Sequence, residues 1–299
     1  MSKMPQPQIA CKTTMNPSAL KNAALVIAAH GSTRDPDSPT LRHAEEIRRR
    51  GIFSEVVCCF WKGTPSCREV LAMVDSRDVF VVPNFIGEGH FTRTVIPREM
   101  GLDGPVTRRG ARTIRYCEPT GNHARIADLL LAEARRAAPG VPPSETSLLI
   151  VSHGSGLDAN SAASARLQAL RIAGTGLYAE VLAAYMEEPP LIKEWDAFTS
   201  RPNVVVVPFF LSDGLHARHD IPALLGIREE PAAAGAGQRN DSQRNPHPLR
   251  GRQLYYGNTI ATAPEFADII LDQVAKFPEP PASAAPFLNG IPDPRTSTG

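Results

Sequence analysis

The sequence predicts an α/β protein made of two tandem lobes, each a parallel sheet with helices on both faces, the two related by pseudo-twofold symmetry. Three observations carry this. The first is duplication: LVIAAHGST at 25–33 returns as LLIVSHGSG at 148–156, and VVPNFIGEGHFTRTVIP at 81–97 returns as VVPFFLSDGLHARHDIP at 206–222. The second is the alternation, in both copies, of short β-rich apolar runs with helical patterns. The third is spacing, because a parallel crossover needs a dozen or more residues and the segments between the runs supply them as helix.

In the first copy the strands are expected at 24–29, 55–61, 79–82 and 113–116, and the helices near 39–50, 66–75, 92–99 and 122–137. The second copy repeats the order, with strands at 147–152, 179–185, 204–207 and 253–256 and helices near 160–172, 189–199, 217–226 and 264–276. The lobes are therefore read as 23–138 and 145–276, separated by the break Pro139 to Pro143. Residues 1–22 and the Pro-rich 277–299 are expected to be disordered tails, and 229–251, rich in Gly, Ala, Pro, Asn and Arg, a flexible insertion carrying a solvent-exposed His247.

A chain of 299 residues, 42% hydrophobic with net charge +1, has length for two domains, each expected to bury its own core. Without a long Lys/Arg run, nucleic acid and anionic membranes are not expected partners. The longest apolar runs, such as Val204 to Leu211, are too short to span a bilayer and are interrupted by proline. The N-terminus lacks the pattern of a signal peptide, so a soluble cytoplasmic protein is expected, a monomer whose lobes mimic a dimer. Cys11, Cys58, Cys59, Cys67 and Cys117 are odd in number and contain no C-x-x-C, and adjacent Cys58 and Cys59 on a strand point to opposite faces. Buried thiols explain them better than an iron–sulfur cluster does.

In open parallel sheets the ligand sits beyond the carboxyl ends of the strands. His30 and His153 follow the first strand of each copy, and His90, His216 and His219 lie after a later one, so topology brings imidazoles to one edge of each sheet. Such a set can bind a divalent first-row metal or take up a proton. The Gly-Ser after each His fits a tight turn into a helix, where Ser32 and Ser155 can satisfy backbone donors. No G-x-G-x-x-G, P-loop or G-x-S-x-G is present, which removes the nucleotide and nucleophile-elbow readings. Ala29 and Ser152 stand where a phosphohistidine mutase or phosphatase would need an arginine.

The strand ending in His-Gly-Ser, the later VVPFFL strand and the block Gly214-Leu215-His216-Ala217-Arg218-His219-Asp220-Ile221-Pro222 resemble the class II chelatases, the sirohydrochlorin cobaltochelatase and ferrochelatase family, in both halves of the chain. The resemblance implies ATP-independent insertion of a divalent metal (cobalt first, then iron or nickel) into sirohydrochlorin or a related tetrapyrrole, in cobalamin or sirohaem synthesis. It marks His153, His216 and His30 as residues that hold the incoming metal and help remove pyrrole protons. Counting back from the shared proline, Phe91 fills the His216 position in the first lobe and His90 lies one residue earlier. The sequence leaves open whether His90 still reaches the cavity or the first lobe has lost half its site. Matched Glu88 and Asp213 are candidates to orient a ring nitrogen or accept a proton, or alternatively to cap the following helix. Matched Arg93 and Arg218, with Arg34 and Arg98 nearby, could grip the carboxylates of the macrocycle. A non-catalytic metal or tetrapyrrole carrier is the competing reading.

Overall fold

The computed structural model describes residues 17–31, 38–154, 162–227 and 244–278. Ser32, Arg34, Ser155 and most of the segments read as tails and insertion lie outside the described residues. Both copies form the same five-stranded sheet. In the first, β1 (Ala23–Ala29), β2 (Glu55–Phe60), β3 (Asp78–Pro83), β4 (Val106–Arg109) and β5 (Arg112–Tyr116) lie in the order β2-β1-β3-β5-β4. In the second, β6 (Thr146–Ser152), β7 (Glu180–Tyr185), β8 (Asn203–Pro208), β9 (His247–Leu249) and β10 (Arg252–Tyr256) lie in the order β7-β6-β8-β10-β9. The central strands β1 and β6 are buried at every residue, as their unbroken apolar or small sequences require of a strand covered on both faces.

Four strands of each sheet are parallel; the fifth departs from the expectation. β4 and β9 are short antiparallel edge strands, paired to β5 and β10 through two-residue turns. Gly110 (φ 58°) opens the first turn, and Arg250 (φ 50°) with Gly251 (φ 75°) forms the second. Both strands are short and largely polar, and β9 contains Pro248, tolerated at an edge where the missing N–H faces no neighbour. His247 is thus a half-buried strand residue opposite Leu254, and not part of a flexible insertion.

The helices are α1 (Pro17–Leu20), α2 (Pro39–Arg49), α3 (Ile96–Met100), α4 (Ile126–Ala137), α5 (Ala163–Ala173), α6 (Trp195–Phe198), α7 (Ile221–Leu225) and α8 (Phe266–Ala275). α1 falls in the stretch read as a disordered tail. The helix expected at 66–75 shrinks to a single 3-10 turn, Val70–Ala72, and that at 189–199 to a 3-10 turn, Ile192–Glu194, followed by α6. The apolar spacing is still used: Cys67, Val70, Leu71 and Val74 are buried over the outer face of the first sheet, and Ile192 and Trp195 over that of the second. No helix among the described residues is long and apolar enough to cross a membrane.

The lobes do not have separate cores. Each sheet has a private apolar layer on its outer face, but the inner faces share one cluster, which joins Leu25, Ile27, Phe80 and Val82 of the first sheet to Leu148, Ile150, Val205 and Val207 of the second through helices from both copies. The last helix of each repeat is exchanged: α4 packs on β8 of the second sheet, and α8 packs on β3 of the first. Polar side chains specify this arrangement. Gln168 of α5 donates to the carbonyl of Gly121 at 2.9 Å, Gln273 of α8 donates to that of Pro119 at 2.7 Å, and His43 of α2 bonds the carbonyl of Ala261 at 2.7 Å while stacking on Phe266. Arg125 reaches Asp272 at 3.1 Å and Asp268 at 3.3 Å, and Arg50 reaches Asp268 at 2.5 Å.

His123 lies in the same layer, buried, with Nδ1 accepting from the Arg125 amide at 3.2 Å and Nε2 3.7 Å from Asp272. Burial pushes its pKa down from 6.5 to about 4, with neighbouring Lys276 acting in the same direction. The unfolded chain therefore binds more protons than the folded one once pH falls below 6.5, and stability is lost progressively until about pH 4. At 1.36 kcal/mol per pKa unit the loss from this residue is about 3 kcal/mol. Urea titrations between pH 7 and pH 4 should show that slope in the native sequence and a shallower one in His123→Gln; parallel slopes would remove His123 as the cause.

Candidate functional site

Strand order places the site. β1 has β2 on one side and β3 on the other, and β6 is flanked in the same way by β7 and β8, so each is the switch point of its sheet, where loops diverge and leave a crevice. The register pairs Ala29 with Phe60 and Ser152 with Tyr185, which sets His30 and His153 one residue beyond the ends of the central strands. The glycine that follows is required by geometry. Gly31 (φ 77°) and Gly154 (φ 71°) are left-handed, and a Cβ there would stand 2.8 Å from Phe60 and 2.9 Å from Tyr185, respectively. Gly154→Ala should cost about 1–2 kcal/mol for the left-handed backbone alone. A thermal melt should read this as a drop of about 2–8 °C.

The turn also orients the imidazole. In both lobes Nδ1 bonds the carbonyl of the next glycine, at 3.0 Å for His30 and 2.8 Å for His153. A carbonyl only accepts, so Nδ1 carries a proton, and the neutral ring is held as the tautomer that presents the Nε2 lone pair.

The second partner comes from a repeated distortion. After β3 and β8 the chain enters one π-helical turn, Phe91–Val95 in the first lobe and His216–Asp220 in the second, before α3 and α7. This brings the His216 ring to 5.1 Å from that of His153, edge to face. Asp220, at the far end of the turn, accepts from His216 Nδ1 at 2.6 Å and so selects, for the neutral ring, the tautomer whose Nε2 lone pair is open. Glu187, two residues beyond β7, places Oε1 3.6 Å from His153 Nε2. Two nitrogen or oxygen ligands of one first-row ion stand about 3 Å apart, given bonds of about 2.0–2.2 Å, so a small adjustment would let both bind. Among the described residues no group of three or more His, Cys, Asp or Glu is already arranged to hold a metal ion.

The first lobe is built differently. Phe91, and not His90, meets His30, at 5.1 Å between ring centroids; His90 is exposed and packs on Phe91 at 6.2 Å. Trp61 joins the same cluster, 5.0 Å from His30 and 4.8 Å from Phe91. Lys62 occupies the place of Glu187, and Val95 that of Asp220.

The matched carboxylates and arginines form internal pairs. Glu88 is bound to Arg93, and Asp213 accepts from Arg218 at 2.7 Å, each pair tying the loop to the π-helical turn that follows. Arg98 pairs with Glu99 at 3.3 Å, and His219 is exposed on the turn that carries His216. Cys11 lies outside the described residues; the four described cysteines are buried, with Cys58 facing the shared core and Cys59 the outer layer, 3.7 Å from Cys67 sulfur to sulfur. Burial pushes the Cys58 thiol up to about 12, which keeps it neutral.

A cleft of about 730 Å³ is lined by His30, Lys62, Phe85 and Ile86 of the first lobe and by Phe210 and Leu211 of the second. Phe210, which lines this cleft, lies 6.1 Å from the His216 ring, so one side chain connects the cleft wall to the histidine pair. The cleft volume is in the range of small-molecule sites. Glu187, Asp220, Trp61 and Lys62 are the residues that sequence reasoning missed. Asp220 lay in plain view, four residues after His216 in the repeated block.

Comparison with known proteins agrees with this architecture. A probable sirohydrochlorin cobaltochelatase of Halobacterium salinarum is 34% identical over 281 residues, 87% of this chain and 94% of that protein. A multi-domain Deinococcus radiodurans protein with structural similarity to chelatases is 30% identical with a TM-score of 0.68; the match covers 85% of this chain but only 54% of that one, which has two additional domains. CbiX, described as the terminal enzyme for biosynthesis of siroheme in denitrifying bacteria, matches in fold at 21% identity and TM-score 0.58, over 84% of this chain and 97% of its own. The CbiX family model matches residues 24–137 and again 147–277, and the chain belongs to the CbiX family, in two tandem copies.

Proposed function

We propose that the protein is an ATP-independent metal chelatase, a lyase that inserts a divalent metal into sirohydrochlorin or a related tetrapyrrole, with the reacting centre in the second lobe. The observation that carries this is the pair His153 and His216, ring to ring, each with Nδ1 engaged and Nε2 left as a lone pair. The metal is substrate and must leave. Two neutral imidazoles with an adjustable carboxylate suit that need better than a closed four-ligand site, which would retain the ion. Cobalt is the first choice on the name of the Halobacterium relative, iron the second on the siroheme role of the related CbiX, and nickel accepts the same ligands.

In this reading the ion exchanges water for the two Nε2 atoms and passes to the ring nitrogens. Two pyrrole N–H protons must leave as the metal bonds to the four ring nitrogens, so charge balances when both protons are taken up by bases. His153 becomes a base again as it gives up the metal, and Glu187, exposed beside it, is placed to pass a proton to water. Glu88, Asp213, Arg93 and Arg218 are assigned to holding the π-helical turns through their ion pairs. Cobalamin or sirohaem synthesis is the corresponding pathway.

Anaerobic absorption spectroscopy with sirohydrochlorin and Co²⁺, then Fe²⁺, over substoichiometric protein tests the proposal. Many turnovers per chain are expected. Spectral change at one equivalent, with no acceleration over the protein-free control, would leave a carrier.

A further inference from the structure

We propose that the first lobe is the macrocycle-holding half of the cleft, in which Trp61, Phe91 and Lys62 recognise a flat, conjugated polycarboxylate by ring contact and a single ammonium. This rests on the chelatase reading of the second lobe and gives the other lobe a distinct task.

The argument is positional. Strand register places Lys62 two residues beyond the end of β2, as Glu187 is two beyond β7, and Phe91 opens its π-helical turn as His216 opens the other. His153 is kept as His30, but the groups around it are replaced in the first lobe: the imidazole of His216 by a phenyl ring, the carboxylate of Glu187 by an ammonium, and the orienting Asp220 by Val95. Glu to Lys moves the local charge by two units toward positive, which repels a cation and attracts a carboxylate.

The replacements also fit one another. The rings of Trp61 and Phe91 meet edge to face at 4.8 Å, Phe85 stacks near-parallel on Phe91 at 6.0 Å, and Lys62 Nζ sits 4.7 Å above Trp61. Lys62 is exposed and lines the cleft with Phe85, while Phe210 and Leu211 reach the same cleft from the lobe that carries the histidine pair. Trp61 and Phe91 stand beside this wall, in contact with its Lys62 and Phe85, and a ligand with an apolar conjugated face and a carboxylate rim matches the rings and the ammonium together. An aliphatic metabolite would leave the ring cluster unused, and a metal complex would meet the ammonium.

The test is binding of free-base sirohydrochlorin to the metal-free full-length chain, followed anaerobically by absorption, in parallel with Co²⁺ binding to the chain alone. Lys62→Met and Phe91→Leu should each raise the tetrapyrrole Kd about tenfold, and Lys62→Glu more, with Co²⁺ affinity held within about twofold. In turnover, KM for the tetrapyrrole should rise while kcat holds. Lys62 is exposed, so its variants carry little risk to folding. If the native chain turns over and none of the three variants alters tetrapyrrole affinity, this inference is wrong while the chelatase reading stands. If a variant instead weakens Co²⁺ binding, the first lobe belongs to the metal path and the inference is also wrong. A native chain that neither binds nor metallates the macrocycle removes both.

Discussion

His216→Ala is expected to lower kcat/KM for metal insertion by at least about 100-fold, a larger loss than the about 10- to 100-fold that Asp220→Asn should produce by releasing the ring it orients. The ranking follows from the geometry. On the proposed mechanism His216 supplies one of the two Nε2 lone pairs, whereas Asp220 would act on the metal only through the 2.6 Å bond that fixes the His216 tautomer. Asp220→Asn keeps the shape of the side chain but offers an amide that can donate to Nδ1, turning the proton to Nε2 and blocking the lone pair in part of the population. His219→Ala is the control on the same turn, exposed and without a place in the pair, and should change activity by no more than about twofold. Steady-state kinetics at saturating tetrapyrrole and varied Co²⁺ separate these outcomes. Equal losses in His219→Ala and His216→Ala would show that the turn, and not the His216 lone pair, is what matters.

The same comparison shows what duplication made legible. Apolar runs ending in His-Gly revealed both central strands, and searching for identities between the copies found His30 with His153. The identities also led to Glu88, Asp213, Arg93 and Arg218, which the structure ties to each other as loop fasteners. What the two copies keep in common thus includes loop-tying ion pairs as well as the histidines that end the central strands. The chemistry that differs between lobes sits where the copies disagree, at Phe91 against His216, Lys62 against Glu187 and Val95 against Asp220, and a search for matches passes over such positions. The missed edge strands have another cause: Val106–Arg109 and His247–Leu249 carry too few apolar residues to show a period. Helix exchange was invisible for a third reason. The apolar stripe of a helix reveals that it packs, but two sheets from one duplicated sequence offer nearly equivalent faces, and the choice between them is made by side chains such as Gln273 and Arg125 that act across the lobes.

That exchange sets the second large expectation: residues 1–144, expressed alone, should not yield a folded monomer. α8 contributes Phe266, Ile269, Ile270 and Val274 to the shared core, all at most 1% exposed, and it covers β3 of the first sheet. At about 1.5–3 kcal/mol per fully buried apolar side chain, removing these four withdraws about 6–12 kcal/mol. A whole domain has only about 5–15 kcal/mol of stability. The fragment would also keep α4, whose Leu129 and Leu130 pack toward the absent second sheet and would face water. One folded outcome is compatible with these surfaces. Two fragments can trade α4 helices about a twofold axis, each covering the other's sheet, because the tandem chain already achieves this arrangement within itself. Light scattering with size exclusion, read beside thermal melts followed by circular dichroism, separates the cases. The fragment should be either a dimer with a concentration-dependent melt or a chain without a cooperative transition. A monomer that melts cooperatively at the temperature of the intact protein would mean that the first lobe is stable without α8 and that the shared layer adds contact without being needed to hold the sheet.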